Sequence, residues 1–117
     1  MRPLADRERD LLVALIARGT EHGADRVIAA SDRERWAGQL PGVMVHGMCG
    51  CGTCPSIDLV PEGYDRPTTA RQTVLEASTA DAFLLVFIDD DRPAYLELAP
   101  FGEDPITEFP LVADVVF

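Results

Sequence analysis

The run over residues 82–88, AFLLVFI, constrains the fold more than any other stretch of this chain, because every side chain in it is apolar. A strand with one solvated face alternates apolar and polar residues, whereas a strand covered on both faces or lying in mid-sheet does not. The run is too short to cross a bilayer, and its β-branched and aromatic residues favour a strand over a helix. We therefore predict a central strand over residues 82–88.

The residues that follow predict the partner of this strand. Residues 89–93, DDDRP, have the composition of a turn. Residues 94–99, AYLELA, alternate, so that Leu96 and Leu98 share one face. Two strands joined by such a short polar segment predict an antiparallel hairpin.

An apolar stripe near the N-terminus predicts the first helix. Its members recur at helical spacing and are Leu11, Leu12, Leu15 and Ile16. We expect this helix to begin at Ala5 or Asp6 and to end at Gly19, because glycine is favoured directly after a helix.

A second helical region follows, either as one kinked helix or as a short helix over residues 23–30 and another over residues 32–39. Ser31 and Glu34 have the spacing of a capping box, in which Ser31 would be the N-cap. Trp36 is expected to pack in the core against the sheet, because tryptophan buries a large apolar area.

Together these segments predict an α+β fold in a single domain over residues 1–117, an ordinary length for one domain. N-terminal helices in residues 1–41 would pack on one face of an antiparallel sheet of four or five strands in residues 42–117. Residues 72–78, QTVLEAS, predict a further strand, and the apolar residues within 111–117 predict a short edge strand.

Residues 43–60, VMVHGMCGCGTCPSIDLV, hold every cysteine of the chain and one histidine upstream of them: His46, Cys49, Cys51 and Cys54. With a period of two, the stretch predicts a strand on which Cys49 and Cys51 continue the apolar face that begins at Val43. Free cysteine is among the most often buried residue types. We therefore expect these thiols to face the core, and we expect a loop over residues 61–70 to follow.

The same side chains permit a metal site. His46, Cys49, Cys51 and Cys54 offer one imidazole and three thiols, which is a sufficient ligand set for tetrahedral zinc. Structural zinc sites usually take two separated pairs of ligands, and a second cysteine pair does not occur in this sequence. Zinc binding is therefore the alternative to a protein without a cofactor.

A redox site is a further alternative. Cys51 and Cys54 have the C-x-x-C spacing of a redox dithiol. That chemistry needs a helix N-terminus to lower the pKa of the first thiol, whereas residues 55–60, PSIDLV, alternate like a strand. The sequence thus provides the two thiols without the feature that would activate them.

The net charge of −10 lies entirely in the second part of the chain, because residues 1–48 hold seven acidic residues and seven arginines whereas residues 49–117 hold thirteen and three. Such a surface repels the phosphates of nucleic acids and anionic membranes, and it suits a basic partner protein. The acidic residues predicted to bind this partner lie in the hairpin and the segment after it: Asp89, Asp90, Asp91, Glu97, Glu103 and Asp104.

These features predict a non-enzymatic interaction module, of which an immunity or antitoxin-like protein bound to a basic toxin is one concrete form. Acid–base catalysis needs a histidine or a carboxylate pair held in a cleft. The sequence has two histidines, His22 in a glycine-flanked loop and His46. An odd number of cysteines and a charged N-terminus unlike a secretory signal predict a cytoplasmic protein.

Three motifs follow one another along the chain: CGCGTCPSIDL over Cys49–Leu59, LLVFIDDDRPAYLEL over Leu84–Leu98 and EDPITEFP over Glu103–Pro110. Their order resembles that of a family of small, uncharacterised bacterial proteins with a C-x-CG-x-C-P-[ST]-[IV]-x-L strand, a hydrophobic hairpin ending in L-E and an acidic segment closing on E-F-P. The resemblance covers most of the chain and implies a shared fold but no catalytic residues. The family's hairpin turn commonly has Asp-Gly, and Asp91 takes the glycine position here, which predicts a loop wider than a type I′ turn.

Overall fold

The computed structural model describes residues 1–23, 27–52, 54–61 and 72–117. Within these ranges lie two α-helices, α1 (Asp6–Arg18) and α2 (Ala30–Gln39), neither of which is long and apolar enough to span a membrane. The strands are β1 (Arg2–Pro3), β2 (Thr20–Glu21), β3 (Met44–Val45), β4 (Gly47–Met48), β5 (Ile57–Asp58), β6 (Gln72–Ser78), β7 (Ala82–Asp89) and β8 (Arg92–Pro100). Single 3-10 turns cover Leu40–Gly42 and Val112–Asp114.

The main sheet has six strands in the order β2-β6-β7-β8-β5-β4, and all neighbours are antiparallel. A separate two-stranded sheet pairs β1 with β3. The predicted α+β class is confirmed, but the sheet is larger than four or five strands. The sequence pattern does not reveal β2, because a strand of two residues is too short for alternation to be recognised. The strand predicted within residues 43–60 is divided into β3, β4 and β5, each two residues long. Because β1 and β2 belong to residues 1–41, that part of the chain is not helical alone.

The apolar run forms β7, which lies between β6 and β8 in the middle of the sheet, as predicted. Leu84 pairs with Leu98, and Val86 pairs with Leu96. These side chains pack with the apolar stripe of α1, whose members are fully buried: Leu11, Leu12, Leu15 and Ile16. Burying each such side chain contributes about 1.5–3 kcal/mol, and this packing holds α1 on one face of the sheet.

Contacts of Glu8 fix the start of α1. Its carboxylate accepts a hydrogen bond of 2.8 Å from the Ala5 backbone N–H and two more of 2.8 Å from the Arg2 guanidinium. The N-cap residue Ala5 has no side-chain oxygen, so Glu8 takes over the capping of the helix start. The hydrogen bonds from Arg2 lower the pKa of Glu8, burial opposes this effect, and the Ala5 N–H adds to the lowering.

The chain leaves α1 at Gly19, as predicted, but for a different reason. Gly19 is extended, with φ −60° and ψ 149°, and is not left-handed. A Cβ atom on Gly19 would lie 2.5 Å from the Leu15 carbonyl oxygen, so the close approach of the two backbones requires glycine. Arg33 of α2 donates hydrogen bonds to the carbonyls of Ile16 (3.0 Å) and Gly19 (2.9 Å). These bonds satisfy carbonyl groups that a helix end leaves without partners.

In the described part of the second helical region there is one helix, α2, and its start differs from the prediction. Residues 27–29 are not helical, so the short helix predicted over residues 23–30 is wrong there, while residues 24–26 lie outside the described part. The N-cap of α2 is Ala29, which makes no side-chain hydrogen bond. Ser31 therefore lies inside the first turn, and the predicted capping box does not form. Contacts made further along α2 determine its position instead.

The turn between β7 and β8 consists of Asp90 and Asp91, whose φ values of 48° and 68° are both left-handed. This is a two-residue turn of type I′, so the predicted wider loop is wrong. The Asp91 carboxylate accepts hydrogen bonds from Nε1 of the buried Trp36 at 2.7 Å and from Nη2 of Arg35 at 2.6 Å. The Gln39 amide donates to the Asp91 carbonyl at 2.8 Å. These bonds offset the roughly 1–2 kcal/mol that a left-handed residue costs.

The C-terminal segment packs on the sheet, but the predicted edge strand is reduced to one bridge, in which Val116 exchanges backbone hydrogen bonds of 2.7 and 3.0 Å with Ser78. Phe109 is buried in the core, and the Phe117 ring centroid lies 4.1 Å from the guanidinium carbon of Arg18. The loop predicted over residues 61–70 lies, apart from its first residue, outside the described part of the chain.

Glycine substitutions at the two turn positions should have opposite effects on the free energy of unfolding. Asp90→Gly relieves the left-handed conformation and should leave the free energy unchanged or raise it by up to about 1 kcal/mol. Asp91→Gly relieves the same conformation but removes the acceptors for Arg35 and Trp36, and should lower it by about 1–2 kcal/mol. Urea denaturation followed by the fluorescence of Trp36 measures both values. Equal effects at the two positions would contradict the role given to Asp91.

The lowered pKa of Glu8 predicts a stability contribution that depends on pH. A carboxyl group with a lowered pKa stabilises the fold fully above its unfolded pKa of about 4.3, and the contribution is lost as the pH falls through the lower folded value. Glu8→Gln should thus lower the free energy of unfolding at pH 7 by about 1 kcal/mol, with no difference remaining in strong acid. Glu34→Gln, at an exposed position, is the control and should change little at either pH. A penalty for Glu8→Gln that persists in acid would argue for lost packing.

Candidate metal centre

The cysteines lie in the loop that joins β4 to β5, at the end of the six-stranded sheet. The Cys49 N–H donates to the Ser56 carbonyl at 2.8 Å and so extends the pairing of the two strands by one step. The chain then reverses before Cys54. Gly52 allows this reversal, because its φ of 72° would strain a residue with a side chain. Thr53 lies outside the described residues.

This loop brings the three thiols together. The Sγ atom of Cys51 lies 3.2 Å from the Sγ atoms of Cys49 and Cys54, and all three sulfurs lie within 4.8 Å of one another. These distances exceed the roughly 2.05 Å of a disulfide bond, and none of the three cysteines forms a disulfide. Cys51 is exposed, and the other two are half-buried. The thiols are thus close enough to share one ion and accessible enough to receive it.

The prediction that the thiols face the core from a continuous strand is wrong. β4 ends at Met48, and Cys51 lies in a turn. Alternation assigns a residue to a face only while the chain stays extended, and the glycines on either side of Cys51 end that extension. The sequence signal for the turn is the alternation of cysteine and glycine over residues 49–52, CGCG.

His46, the fourth ligand of the metal alternative, does not join the thiols. Among the described residues, the ligand group comprises the three cysteines alone. His46 lies between β3 and β4, where its N–H donates to the Asp58 carbonyl at 2.8 Å. Its spacing of three residues from Cys49 places the two side chains on opposite faces, and His46 lines a separate cavity of about 300 Å³ with Gln39 and Arg92. The other histidine, His22, is exposed and lies 2.6 Å from Glu76.

The neighbouring sulfurs control the charge state of Cys49. The backbone N–H of Cys51 lowers the pKa of the Cys49 thiol, but the side chains of Cys51 and Cys54, burial and the charge of Cys54 together raise it above its ordinary value. Placing several thiolates in such a small volume without a cation is unfavourable. A bound cation would remove this penalty, because metal ions invert the local preference for protonated thiols.

Tyr95 of β8 is a neighbour that the thiol loop shares with acidic residues. Asp58 pairs with Tyr95, and by alternation both lie opposite the side that carries Leu96. Burial raises the pKa of Tyr95, as do the charges of Cys49, Glu97 and Asp58, while a hydrogen bond with Ser56 lowers it. Cys49, Asp58 and Glu97 are therefore grouped around Tyr95.

The structure separates the acidic residues that were predicted to bind a basic partner. Asp89 is buried and accepts a hydrogen bond of 2.7 Å from Gln72, and Asp91 is bonded to α2. Asp90 is exposed at one end of β8 and Glu97 is half-buried within it, whereas Glu103 and Asp104 are exposed beyond its other end. Nine residues of strand span roughly 26 Å, so these six residues do not form one surface. The binding of a basic partner itself stays a prediction.

In the described structure, the C-x-x-C pair of the redox alternative is followed by a strand and not by a helix. After Cys54 come Pro55 and Ser56, which are not helical, and then β5. The C-x-x-C pair therefore does not precede a helix whose dipole would lower a thiol pKa.

Comparisons with known proteins add no further assignment. A scan against protein-family models, a search of curated proteins and a search of solved structures each gave no match. The resemblance to a family of small bacterial proteins therefore stays a prediction, and the function must be argued from the site.

The accessibility of the thiols can be tested by alkylation. Because Cys51 is exposed and its two neighbours are half-buried, iodoacetamide should modify all three in the folded, reduced protein. Mass spectrometry of the intact chain counts the modified thiols with and without guanidinium chloride. Core-facing thiols would react only in the denaturant, and that result would contradict the arrangement described above.

Proposed function

We propose that this protein binds a thiophilic metal ion through Cys49, Cys51 and Cys54. The observation that carries the proposal is the convergence of three sulfur atoms within 4.8 Å. Zinc–sulfur bonds of about 2.3 Å in a tetrahedral site place sulfurs about 3.8 Å apart. The two 3.2 Å separations and the 4.8 Å limit bracket this value, so small side-chain rotations in the loop suffice to seat an ion.

The surroundings of the cluster support metal binding more than a role for the thiols in packing. Thiolates are the ligands that soft and borderline ions prefer in proteins. The cluster is accessible at the sheet edge, and the core closes without it, because the buried apolar cluster includes none of the three cysteines. The packing of the core is therefore the same whether the site is empty or holds an ion.

A second candidate function is the binding of a basic partner protein. The observation that favours it is the charge distribution, with all of the net charge of −10 in residues 49–117. The exposed Asp90, Glu103 and Asp104 would contribute to such binding. Asp89 and Asp91 are bound within the fold, so they support the shape of the hairpin and not a partner surface.

The metal proposal is tested on protein purified without a histidine tag. Cadmium titration followed by the ultraviolet absorption of cadmium–thiolate bonds, together with elemental analysis, should give one ion per chain. Each of Cys49→Ser, Cys51→Ser and Cys54→Ser should lower the affinity by more than the roughly 10–100-fold loss that outer-shell changes alone cause. His46→Gln should bind like the unmodified protein, because His46 lies outside the cluster.

Binding well below one ion per chain in the unmodified protein, or unchanged binding in the serine variants, would reject the proposal. Circular dichroism of the serine variants is the control for folding, and it should be unchanged because the three cysteines lie outside the buried core.

A further inference from the structure

The number of sulfur donors limits which ions fill the site completely. The described residues bring three thiols together and no fourth ligand, since the ligand group contains neither a histidine nor a carboxylate. Closed zinc sites take four protein donors. Three protein donors leave a zinc ion with one position open to water, whereas they complete the coordination of an ion that prefers three sulfurs.

The spacing of the sulfurs points in the same direction. The two separations from Cys51 are 3.2 Å, shorter than the about 3.8 Å edge of a tetrahedral zinc site. Trivalent arsenic carries a lone pair that compresses its three bonds into a narrow pyramid, so it holds its sulfurs closer together than a tetrahedral ion does. The two short separations therefore fit two edges of a pyramidal centre, and the third pair of sulfurs lies within 4.8 Å.

Charge balance is the third argument. Three thiolates with a monovalent ion leave a net charge of −2, with zinc −1, and with trivalent arsenic zero. Residues 36–65 contain neither arginine nor lysine, and the acidic Asp58 and Glu97 are grouped with Cys49 around Tyr95. Residual negative charge beside other negative charges is unfavourable.

Two arginines approach the loop from the side of α1, but both already have acidic partners. Arg2 and Arg7 line a cavity of about 370 Å³ together with Met48 and Pro55. Arg2 pairs with Glu8 at 2.8 Å, and Arg7 pairs with Glu108 at 3.5 Å. Their charge is thus balanced within the fold, and a neutral complex in the thiol loop needs no further cation.

We infer that the Cys49–Cys51–Cys54 cluster binds trivalent arsenic, supplied as arsenite, in preference to zinc. This inference rests on the proposed metal-binding function and names the class of ion. Each of the three steps replaces one As–O bond and one S–H bond by one As–S bond and releases one water molecule. Arsenic stays trivalent and no electrons are transferred, so no oxidant or reductant is required.

Native mass spectrometry of the reduced protein, with a phosphine reductant that carries no thiol, tests the inference directly. Equal concentrations of arsenite and zinc should yield a complex heavier by one arsenic atom less three hydrogen atoms. Each cysteine-to-serine variant should lose this complex, whereas His46→Gln should retain it. The same serine variants should still bind phenylarsine oxide, which takes two sulfurs, and this retention separates the loss of one ligand from misfolding of the loop.

The outcomes separate the two proposals. If zinc or cadmium binds through the three cysteines and arsenite does not compete, the arsenic inference is wrong and the metal-binding function stands. If no ion binds, both are wrong. If His46→Gln weakens arsenite or zinc binding as much as the serine variants do, the site has a fourth protein ligand, and the three-coordinate assignment is overturned.

Discussion

The carboxylate of Asp91 makes the interaction on which the arrangement of helices and sheet depends. It lies at the tip of the central hairpin and accepts hydrogen bonds from Arg35 and Trp36 of α2. A two-residue type I′ turn sets the register of its flanking strands, and β7 and β8 form the middle of the sheet. The same bonds position α2, which satisfies the end of α1 through Arg33. One side chain thereby links the turn, the strand register and both helices.

The thiol loop is attached to this framework through β8. β5 pairs with β8, and Ser56 accepts a hydrogen bond of 3.0 Å from the Leu98 N–H. On the other side, the loop continues from β4, which is two residues long and lies at the sheet edge. Short edge strands form few bonds and open at low free energy. The loop can therefore adjust around an ion while the core, organised by β7 and α1, remains unchanged.

The sequence pattern identified the side chains of the candidate site better than it identified their environment. Three of the four ligands suggested by spacing, Cys49, Cys51 and Cys54, do converge, whereas His46 does not. Alternation placed the thiols in the core because it assumes an extended chain, and Gly52 breaks that assumption. For the acidic residues, the sequence revealed the charges but not the contacts that they make. Composition counts charges, but it does not reveal that Asp91 is bonded within the fold.

Local periodicity was sufficient to determine the central strand, its hairpin partner and the extent of α1, because burial of apolar side chains at regular spacing is the main stabilising term in each. Only the tertiary structure decided the tight aspartate turn, the start of α2, the number of strands and the meeting of the thiols. These features depend on partners distant in the chain, such as Arg35 and Asp91, which are 56 residues apart. The free energy of such a contact is absent from any local window of sequence, so no pattern within one window reveals it.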